Sequence, residues 1–322
     1  MERSPVSITH RNKVIFIGSC FTKHLGKFFE EHWFDVVVNP FGTLFNPFSV
    51  SSLLIRTIEK NLFEEEDLFY HENLWKSIYL PSKFNHPKKN IYLKQANQRL
   101  LEFRDFLFHS DRIFLTLGTA QVYIHKEYDQ IVSNCHKLPS RLCQYKLPDS
   151  DEITMVLADL IRKLQNFGKE KQIIFTVSPV RYLQKGFIEN TMSKARLLES
   201  VYQIVHQFER VYYFPSFEIF MDDLRDYRFY ASDLIHPGEQ GINYTLEKFK
   251  EIFFEDETIR LIEKIESIRK RINHRSIIPD KNQQTKMKTE LEKQLSGLKK
   301  KYPSIKIPEN ITQIFKSTND NS

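Results

Sequence analysis

Short apolar runs alternate with amphipathic stretches over the first 250 residues. "KVIFIG" (13–18) is a β-branched and aromatic run closed by glycine, the pattern of a buried strand. From Phe21 the apolar positions Phe21, Leu25, Phe28 and Phe29 recur at helical spacing with Lys and Glu between them, which predicts a helix. "FDVVVNP" (34–40) predicts a second strand stopped by Asn-Pro, and residues 48–60 a second helix. "KQANQRLLEFRDFLF" reads as a third helix, and "DRIFLTLGTAQVYI" as a strand running to a Gly-Thr turn. A polar connection through "SNCHKLP" leads to a helix from Ser150 to about Phe167 and then to the strand "KQIIFTVSPV". A helix around 191–209, the strand "RVYYFPS", and a loop that becomes helical within "SDLIHPGEQGINYTLEKFKEIF" complete the series.

Strands near 13, 34, 112, 171 and 210 alternating with helices imply βαβ units and a parallel sheet covered on both faces. The expected fold is therefore α/β, with a flavodoxin-like, doubly wound parallel sheet of about five strands. In such a sheet, ligands sit outside the carboxyl ends of the strands. Residues 61–90 interrupt the rhythm with charges, aromatics and two prolines, and predict an irregular insertion of loops and short strands, a candidate lid. Beyond 250, "ETIRLIEKIESIRKRI" and "TKMKTELEKQLSGLKKKY" are amphipathic and highly charged. They predict a helical extension over 251–315, packed on the 1–250 body or paired as a hairpin and suited to self-association, with a short disordered end at 316–322.

Composition narrows the function classes. With 322 residues, 41% hydrophobic, 27 Phe and 14 Tyr, the chain has ample material for a packed core. The net charge is +6, but residues 251–322 hold 15 Lys and Arg against 11 Asp and Glu, so most of the excess lies in the extension. The rest is too nearly balanced to suggest a nucleic-acid partner. No run approaches the roughly 18–20 apolar residues of a membrane span, and the opening segment lacks the apolar stretch of a secretory signal. Cys20, Cys135 and Cys143 have no metal-ligand spacing and leave one unpaired in any disulfide scheme, which points to a reducing cytoplasm. Neither a phosphate-cradling Gly-rich loop nor a dinucleotide fingerprint is present, so no cofactor is expected.

Two short segments carry candidate chemistry. In "FIGSCFTKHLG" (16–26), Ser19 falls where the first strand turns into the first helix, beside backbone N–H groups that a helix start leaves unpaired. A serine there fits either an N-cap or a nucleophile whose neighbouring N–H groups hold an oxyanion. In "ASDLIHPGEQG" (231–241), Asp233 and His236 lie three apart in a loop bounded by Pro and Gly. A carboxylate at that spacing can fix a histidine's tautomer and leave its other ring nitrogen for a nucleophile; the same residues also suit a turn cap and a surface histidine. Cys20 is a rival nucleophile or a small packed neighbour. Cys135 and His136 offer one weak metal arm, and no metal site is assigned. Arg181 of "TVSPVR" is expected on the rim at the fourth strand's carboxyl end. "DDLRDYRFY" reads as a salt-bridged helix end or, through Arg225 and Arg228, an anion-recognition segment. Trp33 and Trp75 are expected in core or lid.

Together these segments resemble a known family. "FIGSCFTKHLG", "NPFGTLFNP", "LTLGTAQVY", "SNCHKLP", "TVSPVRYL", "DDLRDYRFYASDLIHP" and "HRSI", in this order over roughly residues 10–280, are similar to the motifs of the GSCFA family, within the SGNH or GDSL-like hydrolases. The resemblance implies a three-layer α/β/α sandwich, with Ser19 as nucleophile, His236 as base and Asp233 as the acid that orients it. It further implies backbone oxyanion donors at Ser19 and at Gly42, which follows the second strand. The superfamily's side-chain donor is an asparagine after the third strand, where this chain has Gly118, Thr119, Ala120 and Gln121. Gln121, Thr119 or Asn134 is then expected in its place. The activity implied is ester hydrolysis or acyl transfer on a small-molecule or carbohydrate O-acyl substrate; a catalytically weak binding or scaffold protein on the same fold is the competing reading, and a Cys20-dependent thiol enzyme a third.

Overall fold

The computed structural model describes residues 3–132, 140–275 and 281–316. Strand β1 (Lys13–Gly18) leads to helix α1 (Thr22–Glu31), β2 (Asp35–Val38) and α2 (Pro47–Glu59). The insertion follows as β3 (Phe69–His71) and β4 (Leu74–Lys76), an antiparallel pair flanked by short 3-10 turns. Helix α3 (Lys89–His109) and β5 (Arg112–Leu117) return the chain to the main sheet. Next come β6 (Val122–His125), β7 (Gln130–Ile131) and β8 (Cys143–Lys146), then α4 (Ser150–Gln165), β9 (Gln172–Val177), α5 (Gly186–Gln207) and β10 (Val211–Tyr213). A single turn, α6 (Ser216–Glu218), passes into a π-helix at Ile219–Leu224. The remaining helices are α7 (Glu239–Phe253), α8 (Asp256–Arg275), α9 (Lys281–Lys301) and α10 (Glu309–Lys316).

The five-stranded central sheet has the order β10-β9-β5-β1-β2, and its strands run parallel. Numbered along the chain as one to five, that order is 2-1-3-4-5, the doubly wound arrangement whose switch point lies between β1 and β5. The expected fold class is therefore what the chain adopts. One sheet face presents Ile15, Ile17, Ile113, Leu115, Leu117, Ile173, Phe175 and Val177 to a single core with the buried faces of α2, α3, α4 and α5. Central strands buried on both faces need near-continuous apolar runs, which is why "KVIFIG" and "RIFLTL" lack alternation. Helix starts are sharply specified where the sequence supplies caps: Asn46 accepts from the Ser49 N–H, and Asp149 forms a capping box with Glu152.

One expected strand divides in two. The run from Asp111 to Ile124 stops at Leu117, and Gly118–Gln121 turn the chain out of the main sheet. Residues 122–125 then join a separate antiparallel sheet of order β7-β6-β8. The apolar run continues across this break because both pieces are half or fully buried, so periodicity alone does not mark it.

By compactness the chain divides into two units, along a different line from residue 250. The larger holds residues 14–26 and 37–247, and contains all the candidate site residues that the structure describes. The smaller gathers the described residues within 1–13, 27–36 and 248–322. Its core joins Leu261, Ile265 and Ile268 of α8 to Leu291, Leu295 and Leu298 of α9, with Trp33, Ile305 and Ile311. The two charged helices thus pair along their apolar stripes, and Trp33 is a core residue. Among the described residues, no helix is long and apolar enough to cross a membrane.

The switch point sets the tightest constraint in the larger unit. Gly18 has φ +141, and a Cβ placed on it would lie 2.0 Å from the Thr116 carbonyl oxygen across the β1–β5 pair. Gly18→Ala is expected to cost about 3 kcal/mol or more, or to prevent folding, because backbone rather than a flexible side chain would have to move. Thermal and urea melts of the variant check this. A melt close to that of the parent would show that the strands can separate without loss.

Candidate active site

Ser19 follows Gly18 at the carboxyl end of β1, and the close approach just described places it against β5. A methyl group on Gly118 would lie 3.1 Å from Ser19 Cβ, so the two strand ends meet side by side. Ser19 donates its N–H to the Thr116 carbonyl at 3.0 Å and accepts from the Thr22 N–H at 3.1 Å. Its side chain is buried, and Oγ has no hydrogen-bond partner. The hydroxyl is therefore not an N-cap; it is held at the switch point with its bonding capacity unused.

Asp233 and His236 form the pair their spacing suggests. Asp233 Oδ2 lies 2.7 Å from His236 Nδ1, while Oδ1 accepts the N–H groups of Ile235 and His236, both at 2.9 Å. Hydrogen bonds from the His236 backbone and ring, then from Ile235, pull the Asp233 carboxyl down to about 2, so it is ionised at any physiological pH. The loop is closed by the Ala231 N–H on the His236 carbonyl, the Gly238 N–H on the Phe229 carbonyl, and Leu234 in the left-handed region at φ 57. Both side chains are exposed. His236 Nε2 makes no hydrogen bond to Ser19 Oγ: the structure joins Asp233 to His236 but not His236 to Ser19.

The expected oxyanion donors fare differently. The Ser19 N–H is spent on Thr116, and the Gly42 N–H on the Asn39 carbonyl at 2.8 Å. Both expected backbone donors therefore already have partners, which reflects the tight stitching of this edge. The loop after β2 supplies that stitching. Asn39 Oδ1 accepts the Gly18 N–H at 2.9 Å, the Leu44 N–H reaches the Gly18 carbonyl, and the Phe45 carbonyl takes the N–H groups of both Gly118 and Thr119. Thr119 Oγ1 is shared between the Gln121 N–H and Ser193 Oγ. Gln121 alone among the described candidates keeps a side-chain donor unspent. It is 2% exposed, and neither of its amide atoms has a partner. Asn134, with Cys135 and His136, lies outside the described residues.

Cys20 behaves as a packed neighbour. It is half-buried, and burial raises its thiol above the usual range, against partial relief from backbone N–H groups and Lys23. Arg181 lies past the carboxyl end of β9, where it touches the loop that carries Asp233 and His236. Its N–H and its guanidinium reach the carbonyls of Ile235 and Leu234 at 3.4 Å, and the guanidinium lies over the rings of Tyr227 and Tyr230. In "DDLRDYRFY", Arg228 pairs with Asp226 and Asp223 accepts from Tyr244, the structural alternative for that cluster.

Sequence reasoning missed Ser193 and Lys194 on α5. Ser193 Oγ accepts the Ala120 N–H at 2.7 Å, and Lys194 Nζ donates to the Gly118 and Ser178 carbonyls at 2.6 and 2.5 Å. Together they fix the ends of β5 and β9 around the serine. A signal was present: Lys194 falls on the same helix stripe as the buried Leu197, Val201 and Ile204, where a lysine needs a reason.

An α/β protein of doubly wound topology, with a buried serine at the switch point and an Asp–His pair on a rim loop, is the class these features define. The chain matches the GSCFA family over residues 13–249 and belongs to that family. No curated protein and no solved structure matches it.

Burial lowers Lys194 to about 7, with the Cys20 thiol acting weakly in the other direction. A neutral amine still has two N–H bonds for its two carbonyls, so deprotonation leaves the clamp intact. The unfolded lysine titrates near 10.4, so between about pH 7 and 10 the unfolded chain holds the extra proton. The lysine's destabilising contribution is full below about 7 and fades as pH rises. Relative to Lys194→Met, the parent is therefore expected to gain on the order of a few kcal/mol between pH 7 and 10. Urea unfolding of both proteins across that range reads the difference; a flat one would mean that Lys194 keeps its proton throughout.

Proposed function

We propose that this chain is a serine esterase or acyl-transfer enzyme of the SGNH type, acting on an O-acyl ester such as an O-acetylated carbohydrate. The observation that carries the reading is the 2.7 Å bond between Asp233 and His236 Nδ1, which leaves Nε2 as the ring's only nitrogen available to a nucleophile. Family membership and the position of Ser19 at the switch point support it. In this reaction Ser19 Oγ attacks the ester carbonyl carbon as its proton passes to Nε2, and Asp233 stabilises the imidazolium. The Gln121 amide N–H faces the developing oxyanion. The alcohol leaves with the proton from His236, and water or an acceptor hydroxyl, deprotonated by the same nitrogen, resolves the acyl-enzyme.

A second reading has one observation in its favour. Ser19 Oγ is buried and uncontacted by His236, an arrangement equally suited to a binding protein that keeps the fold without turnover.

A fluorophosphonate separates the two. A single adduct on Ser19 by intact mass and peptide mapping is expected, absent from Ser19→Ala. Where an ester is turned over, Asp233→Asn is expected to lower kcat by about 10⁴ and Gln121→Leu by about 10²–10³. No adduct, under conditions that label a known serine esterase, would favour the binding protein.

A further inference from the structure

A cavity of about 460 Å³ opens at the carboxyl end of β9, between α5 and the π-helix. Ala195 and Leu198 of α5 face Phe217 and Met221 across it, Asn190 and Thr191 stand on its polar side, and Arg181 lines it together with Lys194. The size is that of a small-molecule site, and it opens on the same carboxyl edge of the sheet as Ser19, though beside β9 rather than at the β1–β5 switch point. Three features set it apart from a packing gap. First, among the described residues no carboxylate lies within ion-pair distance of Arg181, and none of the cavity's lining residues is acidic. Its guanidinium is instead held by the rings of Tyr227 and Tyr230, which orient the planar fork without neutralising it. Second, two large apolar residues that line it stay exposed at the surface: Phe187 is 70% exposed and Tyr227 59%. Third, Met221 is delivered by six residues of π-helix, a rare irregularity that is frequent at functional sites.

An unneutralised, pre-oriented arginine beside an apolar cleft is complementary to one chemistry. We propose that this cavity binds an amphipathic organic anion, with its carboxylate or phosphate on Arg181 and its apolar chain between Leu198, Phe217 and Met221. The proposal goes beyond the ester chemistry assigned to Ser19 and does not need that serine to be reactive. A fork-to-carboxylate contact is charge-assisted and directional, so removing it costs affinity for the acid and little for a neutral molecule of the same length.

Octanoate, with 1-octanol as its neutral counterpart, tests this by titration calorimetry and ligand-observed NMR on the full-length chain. Octanoate is expected to bind in preference to the alcohol, and Arg181→Gln to weaken octanoate at least about tenfold while changing octanol less than about threefold. Ala195→Phe, at an exposed position and so without demand on folding, is expected to abolish both; thermal melts report whether either variant remains folded. Ser19→Ala is expected to bind octanoate as the parent does. Absence of octanoate binding at millimolar concentration, or equal binding by folded Arg181→Gln, overturns the proposal. Loss of fluorophosphonate labelling with octanoate binding intact would instead fault only the esterase reading.

Discussion

The contact between Gly18 and the Thr116 carbonyl is the constraint on which the rest of the site depends. Parallel strands must sit close enough for their ladder, and at the end of β1 the chain must also turn sharply into α1. Both demands fall on one residue. A glycine at φ +141 meets them because it has no Cβ to strike the neighbouring carbonyl. That approach brings the next residue, Ser19, against Gly118 of β5. The serine is positioned by backbone geometry, before any side-chain contact is considered.

From that point outward, the site edge is closed by hydrogen bonds that consume nearly every donor. The loop of Asn39 to Asn46 takes the N–H groups of Gly18, Gly118 and Thr119, and α5 takes the remaining carbonyls through Lys194. An oxyanion site normally relies on backbone N–H groups left over at a helix start, and here the expected ones are committed to structure. Among the described residues of this edge, the side-chain atoms left without a partner include the Ser19 hydroxyl, the Thr22 and Thr116 hydroxyls, the Asn39 amide nitrogen and both ends of the Gln121 amide. A buried amide with neither atom paired costs a folded protein a few kcal/mol unless water or a ligand completes it. Gln121 carries that cost at both ends of its amide, and Asn39 at its nitrogen.

The fold was legible in the sequence to the extent that it rests on local pattern. Buried parallel strands are short apolar runs ended by Gly or Pro, and "KVIFIG", "RIFLTL" and "QIIFTV" each announce themselves so. The break after Leu117 was not legible, because β6 is as apolar as β5 and only a tertiary alternative sends it elsewhere. At the site, Asp233 and His236 were readable since their contact is local, three residues apart. The engagement of the Ser19 and Gly42 N–H groups was not, because their acceptors lie on Thr116 and Asn39 and depend on how strands and loop meet. Lys194 lay between these cases. Its place on an apolar stripe was visible, but its two carbonyl partners come from the ends of two different strands.

The two halves of the candidate triad also differ in mechanical character. Ser19 is fixed by the close approach of Gly18 to Thr116 and by its own N–H on the Thr116 carbonyl, so moving it means parting β1 from β5. His236 rides an exposed loop held at its base by backbone bonds and at its side by Arg181, through two contacts at 3.4 Å that are long for hydrogen bonds. Any closer approach of His236 to Ser19 must therefore come from the loop. Arg181 is the residue that both lines the neighbouring cavity and touches the carbonyls of Leu234 and Ile235, so occupancy of that cavity and the position of His236 share one guanidinium. A ligand that drew the Arg181 guanidinium toward the cavity would loosen its hold on the loop carbonyls, whereas Ser19, held by β1 and β5, would stay where it is.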